Sequence, residues 1–414
     1  MRIGPLMLAL CLVTTPAAAD ESGRTLDAFR TFVEVYERIR QQYVEVHSDE
    51  DLMQYAIEGM LGKLDPHSGY LAPADVSDLR QSTSGEFGGI GIEMDVVNGL
   101  IEVIAPIDDS PAALAGIEAR DLITHIDGEV IRDVSLREAI EALRGPIGST
   151  VTLGILRATD DRSERLEVSL ERAIIRVTSV RSQRYTNDVG YVRISQFQRG
   201  THADLIKAIT ALEADAPLKG LILDLRNNPG GILDAAIEVS DVFLDAGTIV
   251  STESRDPMES QNYTARPDTT LVRIPLVVLI NGGSASASEI VAGALQDHDR
   301  AVLIGSPTFG KGSVQTILPL ANQYALKLTT ARYFTPNGRS IQAQGILPTI
   351  AIKAGPVSSD LETERVREAD LPKHLENGGP SERLDTSSED LREDNQLWQA
   401  LQLLASARLL NQGR

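Results

Sequence analysis

Apolar and polar positions change period several times along this chain. From Thr25, the stretch TLDAFRTFVEVYERIRQQYVE places Phe29, Phe32, Val33, Tyr36, Ile39 and Tyr43 on one helical face. The spacing predicts a helix there, and a second around Leu52 to Leu64 that stops at Asp65-Pro66, since a residue before proline is pushed out of helical conformation. Together they read as a packing layer or a dimerisation arm. Between 85 and 172 the period shortens. FGGIGIEMDVVNGLIEVIAPI predicts two short strands joined across Asn98-Gly99. DSPAALAGI supplies Ser110 as N-cap, Pro111 at the first helical position and Gly116 as stop. A strand over Asp121 to Ile126 and an Asp127-Gly128 turn precede SLREAIEALRG. There Ser135 and Glu138 form a capping box, Leu136, Ala139, Ile140 and Leu143 make an apolar face, and Gly145 terminates. STVTLGILR is expected to close this small β-rich module.

From Val189 onward strands and helices alternate. GYVRISQF, a helix at Ala203 to Leu212, GLILDLRNN, a helix at Leu233 to Phe243, PLVVLIN, a helix at Ser286 to Gln296 and AVLIG follow in order. Such alternation predicts an α/β core around a partly parallel sheet. Residues 323–334 read as a late strand and PNGRSIQ as a turn beyond it. After Lys353 the chain is polar and charged to about Asp394, a linker or disordered stretch. Helical periodicity returns in NQLWQALQLLASARLL, with Leu397, Leu401 and Leu404 in register and Ala400 and Ala407 on the same face. That face, like the N-terminal one, needs a partner, which suggests oligomerisation through the terminal helices.

Composition changes the picture at two points. The 414 residues allow two or three domains, and a formal net charge of −20 argues against nucleic acid, which needs a clustered basic surface. The start, MRIGPLMLALCLVTTPAAA, has Arg2, an apolar run from Leu6 to Val13 and three alanines before Asp20. It reads as a signal peptide over 1–19, too short for a stable membrane span, which directs the mature chain to the periplasm or cell envelope. Leu10 stands where a lipoprotein signal wants a small residue before Cys11. Since Cys11 is the single cysteine, the mature chain forms no disulfide and carries no thiol nucleophile.

Candidate chemistry gathers in three stretches. NGGSASASEIVAGALQDHD, residues 281 to 299, carries serines at every second position between a buried strand and a helix. Ligands of open α/β folds bind at that edge, and amides at a helix start favour negative charge. A serine there could attack a carbonyl; equally, helix starts favour serine as N-cap. In LILDLRNNPGG a second strand ends in glycines that would let an amide complete an oxyanion hole, or that simply make a tight turn. In SPTFGKGSVQ, Lys311 lies between two glycines in an otherwise apolar context, although a single lysine is more commonly a solvated surface charge. A lysine acts as general base only if its surroundings bring its pKa from about 10.4 toward about 7 to 8. His298 is a poor rival, about 18 Å along the helix from Ser286 at 1.5 Å per residue. Neither a G-x-S-x-G elbow nor an H-E-x-x-H zinc motif occurs, so no metal or cofactor is expected.

The block NGGSASASEIVAGALQDHDRAVLIGSPTFGKGSVQ, with DLRNNPGG, LDPHSGYL and PNGRSIQ, resembles the carboxy-terminal processing peptidases, secreted serine proteases with a Ser/Lys dyad. The likeness runs from about residue 26 to 352. It implies a crotonase/ClpP-like core of sheet and helices, with Ser286 as nucleophile, Lys311 as base and Gln315 orienting the base. Oxyanion donors carry over as the amides of Ala287 and a glycine of the Pro229-Gly230-Gly231 turn, Gly230 first; Glu289, Asp297 and Thr308 match supporting positions. Pro348-Thr349 departs from the family, which has an aspartate after the proline. Residues 85–172 resemble a PDZ domain, its carboxylate-binding loop matched by Gly89, Ile90, Gly91 and Ile92. There the peptide would add as a strand beside residues 90 to 94, with Ala139, Ile140 and Leu143 on the facing helix and Arg144 either a sensor of occupancy or simply a favourable charge at that helix's C-terminus.

The expected division is thus 1–19 signal peptide, 20–84 helical region, 85–172 PDZ domain, 173–355 protease core, 356–394 polar linker and 395–414 C-terminal helix. The expected function is a secreted endopeptidase recognising cell-envelope proteins by their C-terminal tails. A helical-repeat lipoprotein adaptor, which some members require, joins a second copy of the chain among candidate partners. Two other classes stand beside it: a silent peptide-binding scaffold or chaperone, disfavoured by the presence of Ser286, Lys311 and Gln315, and acyl transfer on a small thioester, disfavoured by the PDZ module.

Overall fold

The computed structural model describes residues 17–356, apart from 98, 108, 132–134, 159–162, 186–187 and 269–270, together with 393–411. The expected signal peptide as far as residue 16, Cys11 included, and the linker over 357–392 lie outside the described residues. Two compact units emerge: one of residues up to 71 with 317–328, the other of 72–316 with 329 onward. No helix among the described residues is long and apolar enough to cross a membrane.

In the first unit, α1 (Ala17–Gln42) and α2 (Asp49–Leu61) precede β1 (Gly69–Leu71), which pairs antiparallel with residues 325–327. Helix α1 runs through the boundary expected at residue 19. Ser48 opens α2 with a reciprocal cap: its hydroxyl accepts the Asp51 N–H and the Asp51 carboxylate accepts the Ser48 N–H. The apolar face predicted for α1 forms, with Phe29, Phe32, Val33 and Ile39 exposed on it and Tyr43 exposed just beyond the helix end.

The second unit begins with α3 (Pro73–Ser84) and β2 (Glu86–Gly89). β2 pairs with β9 (Ala173–Arg176) as a ribbon in which Glu86 and Arg176 face each other and form an ion pair. Between the two ribbon strands the chain builds the β-rich module: β3 (Ile92–Val97), β4 (Leu100–Pro106), α4 (Pro111–Leu114), β5 (Leu122–Ile126), β6 (Glu129–Val130), α5 (Leu136–Leu143), β7 (Thr150–Ala158) and β8 (Ser163–Glu171). Its sheet runs β3-β4-β5-β7-β8, which leaves β3 at an edge. Val97 faces Leu100 across the predicted two-residue turn. STVTLGILR does not close the module, because β7 turns back into β8 along nine paired residues. SERLEVSLE is largely exposed, so it lacked the apolar signature of a strand.

The core sheet runs β10 (Val180–Tyr185), β11 (Val189–Ile194), β12 (Gly220–Asp224), β15 (Leu276–Ile280), β16 (Val302–Gly305) and β19 (Ile350–Ala351). All neighbours are parallel except the β10–β11 pair. Helices α6 (Thr201–Leu212), α7 (Leu233–Asp241) and α8 (Ala287–Asp297) provide the connections, as the alternation predicted. Alternate strand residues separate into two cores. Val192, Leu221, Leu223 and Val278 join α6, α7 and α8, whereas Val189, Ile222, Val277, Leu279 and Ile304 face the other way. Burial on both faces explains the unbroken aliphatic runs in LILDL and LVVLI. A second sheet pairs β13 (Thr248–Ser254) with β14 (Gln261–Thr264) and with residues 331–334 of β18 (Ala325–Phe334), which also pairs with β17 (Ser313–Pro319).

The second face of the core sheet is covered by α9 (Asn395–Asn411), with Leu397, Ala400 and Leu404 packed on it. Leu397, Ala400 and Leu404 of the predicted apolar stripe thus pack on the chain's own sheet. Where the chain returns, the Asn395 N–H donates to the Gly355 carbonyl at 2.9 Å and the Gln396 side chain to the Ile352 carbonyl at 2.8 Å.

Candidate active site

Strands β12 and β15 are parallel neighbours, with Asp224 opposite Leu279, so the loops leaving their carboxyl ends lie side by side. Asparagines stitch them together. The Asn227 N–H donates to Asn281 Oδ1 at 2.9 Å, and Asn281 Nδ2 donates to Asn227 Oδ1 at 2.8 Å. Two of the three alternating serines serve the same purpose. Ser284 Oγ donates to the Leu225 carbonyl at 2.8 Å and Ser288 Oγ to the Asn228 carbonyl at 2.9 Å, both bonds buried. Ser286, between them, occupies the N-cap position of α8 yet makes no side-chain cap bond. Its backbone lies at φ 55° and ψ −112°. For a non-glycine residue such a conformation costs about 1–3 kcal/mol and persists only where the surroundings enforce it.

The enforcing group is Glu289, fully buried one turn into α8. Its Oε2 accepts the Ser286 N–H at 2.7 Å and the Lys311 N–H at 2.9 Å; its Oε1 accepts the Gly310 N–H at 2.7 Å and Thr308 Oγ1 at 2.6 Å. One carboxylate oxygen therefore ties the backbone of Ser286 to that of Lys311. Thr308 Oγ1 in turn accepts the Ile346 N–H at 2.7 Å. Gln315 Nε2 donates to Ser313 Oγ at 2.9 Å and to Thr329 Oγ1 at 3.3 Å. Asp297, at the far end of α8, pairs with Arg339 and accepts the Asn337 N–H, which anchors the PNGRSIQ turn away from the serines. Thr349, where an aspartate was expected, accepts the Leu303 N–H through its hydroxyl at 3.3 Å.

The Pro229-Gly230-Gly231 turn comes to Ser286 from the neighbouring loop. At Gly230, φ is 103°, and a Cβ there would fall 2.9 Å from Ser286 Cβ and 3.0 Å from the Ala287 nitrogen. Only glycine fits that approach. The Gly230 N–H donates to Asn228 Oδ1 at 2.9 Å. Asn228 is itself a buried hub, for its Nδ2 donates to the Ile194 carbonyl and its carbonyl accepts the Ala285 N–H. Ala287 opens the helix, where backbone N–H groups have no intrahelical acceptor. Backbone amides and a serine on a sheet's carboxyl edge are parts that acyl transfer can use.

In the β-rich module, the loop over 89–92 is fixed through its carbonyls. That of Ile90 accepts the Ala112 N–H, and that of Gly91 accepts the Ile107 N–H and Ser110 Oγ. Ile90, Ala139 and Leu143 lie in the module's core, while Ile92 and Ile140 are half-buried. The Arg144 guanidinium stands 4.9 Å from the centre of the Phe87 ring, and its buried Nε has no hydrogen-bond partner.

A profile of peptidase family S41 matches residues 188–352, one of PDZ domains matches 102–157, and one of the activating protease CtpB N-terminal domain matches 13–74. The carboxy-terminal-processing protease of Bartonella bacilliformis is 47% identical over 351 residues, 84% of this chain and 80% of that protein. The chain belongs to the carboxy-terminal-processing peptidases of family S41. It is a serine-type peptidase with a PDZ domain. The carboxyl-terminal-processing protease of a Picosynechococcus species is 37% identical over 373 residues, covering 85% of this chain and 89% of that one. Among solved structures, a photosystem II D1 C-terminal processing protease shares 29% identity over 83% of this chain and 94% of its own, at a TM-score of 0.47.

Sequence reasoning about this peptidase missed Asn227, Asn228 and Asn281, which join the two loops. It also missed a charged cluster behind them. The fully buried Asp224 accepts Tyr191 OH at 2.8 Å and the guanidinium of Arg226, and Arg226 reaches Asp394 at 2.8 Å. Burial and the neighbouring Asp224 push the Tyr191 hydroxyl well above its ordinary value. An acid and a base flanking a strand end in DLRNN were the one signal that these side chains face inward.

Proposed function

We propose that the peptidase acts through a Ser286–Lys311 dyad on proteins presented by their C-terminal tails. What carries the reading is that the hydroxyls of Ser284 and Ser288 are bonded to backbone carbonyls, whereas Ser286 is held in a strained conformation and its hydroxyl makes no cap bond. A neutral Lys311 amine takes the Ser286 proton as Oγ bonds to the scissile carbonyl carbon. The C–N bond then breaks as the lysine ammonium returns a proton to the leaving amine. Water attacks the acyl-enzyme by the same route, and Lys311 passes its proton back to Ser286. The Ala287 amide serves the oxyanion, joined by Gly230 when that amide shares or gives up Asn228 Oδ1. Glu289 and Thr308 hold the frame, and Gln315, beside Ser313 on the same strand, helps to orient the base.

Tail recognition is supported by the edge position of β3, where a peptide can add as a further strand, with Ile92 and Ile140 half-buried on the strand and on α5. We assign residues 85–172 to that PDZ domain, 173–355 to the protease core and 20–84 to the N-terminal helical region. The apolar start of the sequence supports export to the periplasm or envelope. The deciding experiment is cleavage of casein, an unstructured substrate, by wild type, Ser286→Ala and Lys311→Ala between about pH 6 and 10, a range that brackets a lowered lysine pKa. Wild type should cleave with a rising alkaline limb, and both variants should be silent. Cleavage by either variant at the wild-type rate overturns the dyad.

A further inference from the structure

The C-terminal helix ends in the charged cluster behind the Asn227-Asn228-Pro229-Gly230 turn. At the carboxyl end of β12, the Arg226 Nη1 group donates to Asp394 Oδ1 at 2.9 Å and to Gln396 Oε1 at 3.1 Å, while Nε and Nη2 grip Asp224. The Arg226 backbone is fixed as well, because its N–H donates to Asp224 Oδ1 and its carbonyl accepts Arg193 Nη2. Asp394 also caps α9, its Oδ1 accepting the Leu397 N–H at 3.1 Å. The helix runs antiparallel to the strand: its N-terminus sits at Arg226, and Leu404 packs against Gly220 where β12 begins. Two residues beyond Arg226, the Asn228 carbonyl takes the Ala285 N–H and Ser288 Oγ, one on each side of Ser286.

From this chain of contacts we infer that Asp394 and Gln396 are positioning residues, through which the C-terminal helix holds Arg226 and so sets the Gly230 turn against Ser286. A guanidinium facing a helix N-terminus is repelled by the partial positive charge there, and Asp394 stands between the two. Without its charge, Arg226 keeps Asp224 and loses its hold on α9, which frees the strand end carrying the turn. The inference rests on the proposed role of Ser286 and the Gly230 turn. It gives the tail a part in catalysis that its apolar stripe alone would not.

The test compares Asp394→Asn, Asp394→Glu and Leu404→Ala in the full chain, with casein as substrate and Ser286→Ala as the blank. Leu404→Ala loosens the same helix at the end remote from the site. Asp394→Asn should lower kcat by about tenfold with KM within about twofold, since tenfold is the loss of one ordinary hydrogen-bonded contact. Asp394→Glu should recover part of the loss, and Leu404→Ala should lower Tm while leaving kcat near wild type. Hydrogen exchange over residues 225–232 gives a readout independent of turnover, expected to rise in Asp394→Asn and not in Leu404→Ala. Wild-type kcat and exchange in a folded Asp394→Asn overturn the inference, as does an equal loss of kcat in Leu404→Ala at matched stability. If wild type and Ser286→Ala cleave alike, the nucleophile assignment fails instead, and the exchange measurement still decides whether the tail holds the turn.

Discussion

Three serines of similar chemistry differ here in what their hydroxyls touch and in the backbone that carries them. Ser284 and Ser288 each find a carbonyl on the loop after β12, and their bonds fix the backbone on both sides of Ser286. Glu289 completes the restraint from within the helix. Its oxygens accept three amides and one hydroxyl, so they serve as acceptors on every side. A glutamine of the same size would turn an NH2 group toward at least one of these donors. Glu289→Gln should therefore lower stability by about 3 kcal/mol or more, the scale of charge-assisted bonds lost in a buried site, and abolish peptidase activity. Thermal unfolding together with casein cleavage checks both parts. A variant that keeps wild-type Tm would show that Glu289 does not hold the strained serine.

Among the elements, α9 shows how a short helix can be specified twice, by an apolar stripe and by a charged end. The Asp394 carboxyl is subject to burial, which alone would raise its pKa. The bonds from Arg226 and from the Leu397 and Gln396 N–H groups outweigh that and hold it below the usual carboxylate value. A folded-state pKa below the unfolded one means that the contribution is complete above the unfolded value of about 3.9 and fades as pH falls through the folded one. The Tm gap between wild type and Asp394→Asn should accordingly be widest near neutral pH and close as pH drops below about 4. A gap that persists at pH 2 to 3 would assign the loss to packing rather than to charge.

That helix also marks the limit of what periodicity reveals. Leu397, Ala400 and Leu404 were legible as a face because they repeat within one element, and the caps at Ser110 and Ser135 because they act over three residues. Strands such as LVVLI announced themselves by burial on both sides. The polar bonds that build the site carry no period. Asn227 and Asn281, Glu289 and Lys311, and Arg226 and Asp394 meet across 54, 22 and 168 positions. Local context hinted at Lys311, between its glycines, and at Arg226, in DLRNN, but not at the partner that each meets. Charged strands with one exposed side, β8 above all, were missed for the complementary reason.

At the scale of the molecule, insertion governs the arrangement of the second unit. The PDZ module leaves and rejoins the chain through the adjacent strands β2 and β9, and its aliphatic core is separate from the two cores of the protease sheet. The tail repeats the plan at smaller size, since Gly355 and Asn395 meet in a hydrogen bond at the two ends of the polar stretch. Doubling the length of such a closed loop costs only about 0.6 kcal/mol. The covalent link through residues 357–392 thus supplies effective concentration, while the contacts of α9 itself hold it on the sheet. A chain severed there should behave as two fragments in equilibrium, active when concentrated, fading on dilution and revived by added peptide 393–414. Activity of the nicked protein that is independent of dilution, after removal of the fragment, would show that catalysis does without the tail. Retention of the fragment through dilution would instead show that the contacts of α9 hold it to the sheet without the covalent link.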